Sequence, residues 1–410
     1  MRIRRQTKMC RAGWYYLLVV MLTFGAAMAR EVNLLLILAG MLVGPLLLSR
    51  GLAGLTLHGI TVRRKVPQNV CAGDLLVSHI ILSNTRRSMG SWAVMAEDVI
   101  QRESGKGDEA ADALGGKRPL AATRPERSVA GVLFPYLPAR QSRKGVYRGR
   151  FAERGRYRLG PLRISTRFPF GLFCRTITLE HAETLTVFPR LGRLNRGWLA
   201  RRHESFADAD RRERRPGSEG DFYGIRPWRA GDSLRWIHWR SSARTGKLLV
   251  RQFEQPRNRD LAILLDLWQP VEPTARQREN VELAVSFVAT AVADLCRKGD
   301  TSLYLGTNHP RPEFFGGATS TAMLSEVMQR LAVIEARNDD GLSGLLEEML
   351  RNLQPDAEVL IVSTRPVCLD DAERFGRFWT NQAWRALLRR TRVIDTSSDE
   401  LTEYFQVEQP

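Results

Sequence analysis

Two apolar runs near the amino terminus stand apart from everything that follows. Residues 14–29 and 32–48 are separated only by Arg30 and Glu31, and neither carries the polar positions that interrupt a globular core helix. Each is close to the roughly 17 to 25 residues that a helix needs to cross a bilayer. Residues 1–50 therefore predict a transmembrane helical hairpin, in contact with membrane lipids through 14–29 and 32–48. Arg2, Arg4, Arg5, Lys8 and Arg11 precede the first run, and Arg50, Arg63, Arg64 and Lys65 follow the second, so the cation excess places both ends in the cytoplasm. Ala27-Met28-Ala29 also reads as a signal-peptide cleavage site. Cleavage there would leave one crossing at 32–48, with the bulk of the chain still on the cytoplasmic side of the inner membrane.

Beyond residue 51 the pattern shortens to stretches rich in Val, Ile and Thr that end at Gly, Asn or Pro. Strands are expected at 56–66, 75–82, 91–100, 128–136, 145–151, 155–165 and 184–187, with an exposed loop over 101–127. This predicts a β-rich, sandwich-like domain over 51–192. Residues 193–256 form a separate region, in which a polar connector (193–215) leads into a stretch dense in Arg, Trp and Gly. From 257 to 410 strands at 260–267, 302–306, 358–363 and 392–396 alternate with helical patterns at 274–297, 322–336, 342–353 and 371–388. Thr274 and Gln277 form a capping box, and Gly299 is the stop. Such alternation predicts an α/β domain with a doubly wound, mostly parallel sheet.

A length of 410 residues fits several domains, and a net charge of +18 favours anionic neighbours. Cys10, Cys71, Cys174, Cys296 and Cys368 stand singly, which offers neither a zinc site nor a disulfide framework. The six histidines form no metal-ligand spacing, no Gly-x-Ser-x-Gly elbow is present, and Gly246-Lys247 lacks the flanking residues of a phosphate-cradling loop. No cofactor is expected.

The densest chemistry lies in residues 217–254. Arg226, Arg229, Arg235, Arg240, Arg244, Lys247 and Arg251 outnumber Glu219, Asp221, Asp232 and Glu254, and Trp228, Trp236 and Trp239 supply flat faces on which a guanidinium can stack. Pro227 and Gly231 frame a tight turn in which Asp232 can take a neighbouring Arg fork.

The spacing of Arg226, Trp228, Gly231, Asp232, Arg235, Ile237, Trp239, Ser242, Ala243, Arg244, Gly246 and Leu248 resembles the signature of the domain-of-unknown-function 58 (DUF58) family. Residues 155–173 are similar to a second motif of that family, except that Phe168 stands where the family usually has Asp. The resemblance implies a von Willebrand factor A-like C-terminal domain, whose metal motif is degenerate here. Asp266 holds its first position, but Trp268 and Pro270 replace the two hydroxyl residues, and Thr364 stands where such domains often place a further Asp. No metal is expected, since a hard cation needs several oxygen ligands, and Asp266 is read as a turn or capping carboxylate.

The resemblance further implies a MoxR-type AAA+ ATPase partner. The leading expectation is a membrane-anchored cytoplasmic adaptor, not an enzyme, that presents Arg226, Trp228, Gly231, Asp232, Arg235, Trp239, Arg240, Arg244 and Lys247 to that partner. Two alternatives come from other classes. Arg/Trp interleaving could stack nucleic-acid bases, with steep salt dependence, and Asp232, His238 and Ser242 could serve a hydrolase.

Overall fold

The computed structural model describes residues 3–30, 33–67, 69–103, 127–195, 216–254, 260–299, 301–308, 312–353, 357–379, 381–388 and 391–407. Most of the expected 101–127 loop and of the 193–215 connector lies outside them. The described residues divide into two compact units, one up to Phe188 and the other from Pro189 onward.

The first unit begins with a strand where the basic composition of residues 1–11 predicts only a flank to the first helix. Strand β1 (Ile3–Met9) leads into helix α1 (Arg11–Arg30), and α2 (Asn33–Leu57) follows. Both helices are long and apolar enough to cross a membrane, and the Tyr16 hydroxyl joins them by donating to the Leu42 carbonyl at 3.0 Å. Nine strands follow: β2 (Ile60–Lys65), β3 (Val70–Cys71), β4 (Leu75–Asn84), β5 (Ser91–Arg102), β6 (Arg127–Leu137), β7 (Ser142–Arg150), β8 (Gly155–Thr166), β9 (Phe173–Leu179) and β10 (Glu183–Phe188).

They build two sheets. β2, β4 and β7 form the smaller one with β4 in the centre, and the other seven strands form the larger. In the larger sheet β8 pairs along one edge with β5, while β9 and β10 share its other edge. Buried side chains from both sheets meet in one core that includes Leu76, Ile80 and Leu82 of β4, Val94 and Ala96 of β5, Tyr147 of β7 and Ile164 of β8. Into this core runs an ion pair, in which Arg64 Nη1 lies 2.8 Å from Asp98.

Both ends of the helical pair are fixed to this β fold. β1 pairs antiparallel with β9 from Ile3 opposite Leu179 to Met9 opposite Phe173. At the other end α2 outruns the apolar stretch that predicted it, and Ser49, Ala53, Thr56 and Leu57 are buried. The strand expected from residue 56 starts at Ile60 instead, because residues 55–57 complete a helical turn whose open carbonyls find partners. Arg86 donates from Nη1 to Leu55 O at 2.7 Å and from Nη2 to Thr56 O at 3.3 Å, and Ser91 Oγ donates to Thr56 O at 2.8 Å.

The arginines of residues 148–163 are divided between the two sheets and the turn that joins them. Arg148 and Arg150 belong to β7 in the small sheet, Arg156, Arg158 and Arg163 belong to β8 in the large one, and Arg154 between them is buried.

In the second unit, β11 (Gly192–Leu194) pairs with β19 (Phe405–Val407), and β12 (Pro216–Pro227) pairs with β13 (Leu249–Glu254) around the short helix α3 (Trp239–Thr245). A five-stranded sheet follows, made of β14 (Leu261–Asp266), β15 (Ser302–Thr307), β16 (Glu313–Ala318), β17 (Glu358–Ser363) and β18 (Thr391–Asp395) in the order β16-β15-β14-β17-β18. Four strands are parallel, and β16 is an antiparallel edge that the sequence reading missed. β14 and β17 are buried at every position, which is why they read as continuous apolar runs rather than alternating ones.

The helices are α4 (Ala275–Lys298), α5 (Thr321–Val333), α6 (Leu342–Asn352), α7 (Ala372–Trp379) and α8 (Gln382–Leu388), so the single helix expected at 371–388 is two. The Thr274/Gln277 capping box opens α4, and Gly299 closes it at φ 78°.

Candidate functional site

The Arg/Trp signature folds as a β-hairpin with a structured cap. Arg226 faces Val250 and Pro227 faces Leu249 at the end of the ladder, after which Trp228 N donates to Leu248 O and His238 N to Leu249 O, each at 2.8 Å. Within the cap, Asp232 receives Arg226 through two parallel bonds, Nη1 to Oδ2 at 2.6 Å and Nη2 to Oδ1 at 2.7 Å. Arg229 N adds a third at 2.8 Å, and Trp228 Nε1 donates to the Asp232 carbonyl at 3.3 Å. Gly231 makes the turn possible at φ 104°, a conformation that suits glycine.

The Arg226 and Asp232 side chains are 29% and 15% exposed, so the pair lies near the surface rather than in a core. The Arg226 hydrogen bonds and the Arg229 amide hold the Asp232 carboxyl down to about 2.

His238 and Ser242 are both committed to backbone. His238 Nδ1 accepts from Ser241 N at 3.2 Å and so caps α3, while Ser242 Oγ accepts from Leu249 N at 2.9 Å and ties α3 to β13. Ile237 and Val250 close the small core beneath. Gly246 ends α3 in the left-handed region at φ 66°.

The outer surface of this hairpin is basic and apolar together. Arg229, Arg235, Arg240, Arg244, Lys247 and Arg251 are exposed. Leu234 and Trp239 stand 67% and 66% exposed, and Ile225, Trp228 and Leu248 are exposed as well. Asp232 is the only carboxylate between residues 224 and 251, and Arg226 already occupies it. Of the residues singled out from sequence, Arg226, Asp232, Gly231 and Trp228 form the turn, whereas Arg235, Trp239, Arg240, Arg244 and Lys247 face outward. Leu234 was not foreseen, since an apolar residue in such a motif reads as core.

A second polar cluster sits at the carboxyl ends of β14 and β17, where the order of strands reverses and α/β sheets commonly bind ligands. Asp266 is fully buried there, which corrects its reading as a turn or capping carboxylate. It accepts from Ser363 Oγ at 3.1 Å and Asn308 Nδ2 at 3.2 Å, and Arg365 Nε lies 3.6 Å from it. Burial pushes the Asp266 carboxyl up, and Arg365 opposes the shift.

Thr364 Oγ1 accepts from Trp268 N at 2.8 Å and donates to Trp268 O at 2.6 Å, so this hydroxyl fastens a loop. Asp340 binds both Arg365 and Arg374. With a guanidinium already beside the carboxylate and the threonine engaged, this donor set does not fit a divalent ion. Asn308, Asp340, Arg365 and Arg374 were invisible to sequence reasoning, because they come from three separate loops and the start of α7 with no shared motif.

The family described as "Protein of unknown function DUF58" matches residues 224–400. The chain is 24% identical over 135 residues to the uncharacterized protein YeaD of Bacillus subtilis (strain 168), a match covering 33% of this chain and 33% of YeaD. It thus spans about a third of that relative's length. Similar solved structures include the CARDB domain of the PF1109 protein from Pyrococcus furiosus, 12% identical over 31% of this chain and 91% of that one, with a TM-score of 0.18. Spo0M, a sporulation control protein from Bacillus subtilis, is 8% identical over 48% of this chain and 91% of its own, with a TM-score of 0.19. Likenesses at these scores carry no argument about this chain.

Proposed function

We propose that this chain is a membrane-anchored adaptor that has no catalysis of its own and docks a protein partner on the signature hairpin. The observation that carries the reading is the exposed surface at 229–251, where six cations interleave with Leu234 and Trp239 and the one carboxylate is internally paired. Exposed aromatic and arginine side chains on a hydrogen-bonded frame are the composition of interface hot spots. The partner is of the MoxR-type AAA+ class implied by the signature, and its complementary surface is acidic with an apolar pocket.

The anchor is the helical pair. Leu34, Met41 and Met21 are 75%, 71% and 65% exposed, an apolar exterior that water penalises and lipid tails do not. Trp14 and Tyr15, exposed at the start of α1, suit the headgroup level. Because β1 and the end of α2 join the same β unit, a spanning pair has both ends on one side, and the flanking cations favour the cytoplasm. The α/β unit, with β14 central among parallel strands, supports a degenerate von Willebrand factor A-like domain in which Arg365 stands beside the carboxylate.

Binding of a purified MoxR-type ATPase to the full chain in detergent, with and without changes at Arg240 and Arg244, tests the reading. Binding that ignores both positions removes it.

A further inference from the structure

The outer face of the small β-sheet carries a pattern that a solvated face has no reason to hold. From the register, Thr61, Ser83 and Ser142 share one row, Arg63, Ile81 and Lys144 the next, and Lys65, His79 and Val146 the third. Val77 then faces Arg148, and Leu75 faces Arg150. The central strand β4 thus presents Leu75, Val77, His79 and Ile81 outward, a stripe in which three of four side chains are apolar and Val77, His79 and Ile81 are half-buried. Arg63 and Lys65 flank it along β2, and Lys144, Arg148 and Arg150 flank it along β7.

All five cations are exposed. No carboxylate lies among the outward positions of the three strands, and among the described residues none pairs with these cations. Leu75 and Val146 are 53% and 43% exposed. The large sheet differs, since there Glu97 sits opposite Arg163 in register and Arg102 pairs with Glu153.

We infer that this face is a second docking surface, distinct from the signature hairpin, and that its occupant is an acidic amphipathic helix of a partner protein. Dimensions and charge both select that occupant. Two strand spacings separate the cation rims by about 10 Å, the width of one helix with its side chains. The stripe from Ile81 to Leu75 runs about 20 Å, the length of roughly 13 helical residues. A helix with one apolar stripe flanked on both sides by Glu or Asp places its leucines on Leu75, Val77 and Ile81 and its carboxylates against both rims. A packing sheet would need a broad apolar face, whereas this stripe is one strand wide.

The test uses the full chain in nanodiscs of neutral lipid and an 18-residue peptide with a leucine stripe flanked by glutamates. A scrambled peptide of the same composition, phosphatidylglycerol vesicles and a single-stranded oligonucleotide serve as comparisons. The patterned peptide is expected to bind saturably and the scrambled one at least tenfold more weakly. The Arg63→Ser/Lys144→Ser/Arg148→Ser variant, which alters only exposed side chains, is expected to lose at least tenfold in affinity for the patterned peptide with an unchanged melting temperature. Leu75→Ser/Ile81→Ser is expected to weaken it comparably, and Arg240→Ser/Arg244→Ser to leave it unchanged, which separates this surface from the hairpin reading.

Equal binding of the scrambled peptide, or loss confined to the Arg240/Arg244 variant, overturns the inference. So does a triple variant that loses vesicles or oligonucleotide while the wild type ignores the peptide, since the face then serves lipid or nucleic acid.

Discussion

Arg64 donates through Nη1 to both carboxylate oxygens of Asp98, at 2.8 and 3.0 Å, inside the β-sandwich where the two side chains are 3% and 0% exposed. The site is completed by Arg64 Nη2 to Leu159 O at 3.1 Å and by Tyr147 Oη to Asp98 Oδ2 at 2.8 Å. Burial works against the Arg64 charge, and Asp98 and Glu183 more than restore it. Removing one partner strands the other in the core. Asp98→Ala should therefore cost about 3–5 kcal/mol and Tyr147→Phe about 1 kcal/mol. Denaturant unfolding of the full chain in detergent reads both, and an Asp98→Ala midpoint equal to wild type would show that the ion pair contributes nothing net.

Arg86 does a related job at the foot of the helical pair, where its guanidinium closes the last turn of α2. Losing these charged hydrogen bonds should cost about 1.5–3 kcal/mol. Arg86→Ala is accordingly expected to speed amide exchange at residues 53–59 while leaving 33–45 unchanged. Exchange that stays slow throughout would show that the burial of Ala53 and Leu57 alone secures the junction.

Why the sequence revealed some of this and hid the rest is a matter of range. The two apolar runs, the strands of alternating Val, Ile and Thr, and the Thr274 capping box are local patterns, and local patterns are legible. β1 was not, because Arg4, Arg5 and Lys8 dominate its composition and its pairing partner, β9, lies about 170 residues away. β9 itself, with Arg175 and three threonines or cysteines in seven residues, lacks the apolar alternation that marks a strand. At the signature, Pro227, Gly231 and Asp232 announced a turn and an Arg fork, yet the choice of Arg226 over Arg229 or Arg235 depended on hairpin register. The Asp266 surroundings were hidden for the same reason, since Asn308 and Arg365 reach it only through the stacking order of strands.

If the helical pair spans a membrane, as proposed, β1 and α2 joining one β unit put both of its ends on one side. In a chain freed of native cysteines, Gln6→Cys and Arg244→Cys should react with a membrane-impermeant maleimide from the same side, and Arg30→Cys from the opposite side. Labelling of all three from one side would contradict a membrane-spanning pair.

The Arg226–Asp232 pair predicts an acid dependence with a definite sign. The folded carboxyl titrates near 2, below its ordinary value of 3.8, so its stabilisation is fully present above about pH 4 and is lost as pH falls through about 2. The difference in melting temperature between wild type and Asp232→Asn should be present at about pH 5 and shrink towards pH 2. A gap that is constant with pH would mean that the asparagine disturbs the turn by shape and not by charge.

Most directly at issue is whether the hairpin surface binds the partner. Titration of a purified MoxR-type ATPase against the full chain and against Arg240→Glu/Arg244→Glu answers it, with melting temperature measured alongside. Both side chains are exposed and make no described ion pair, so the melting temperature is expected to stay the same while affinity falls at least tenfold, about 1.4 kcal/mol. Equal affinity of the two proteins for the ATPase would contradict the docking role of the signature.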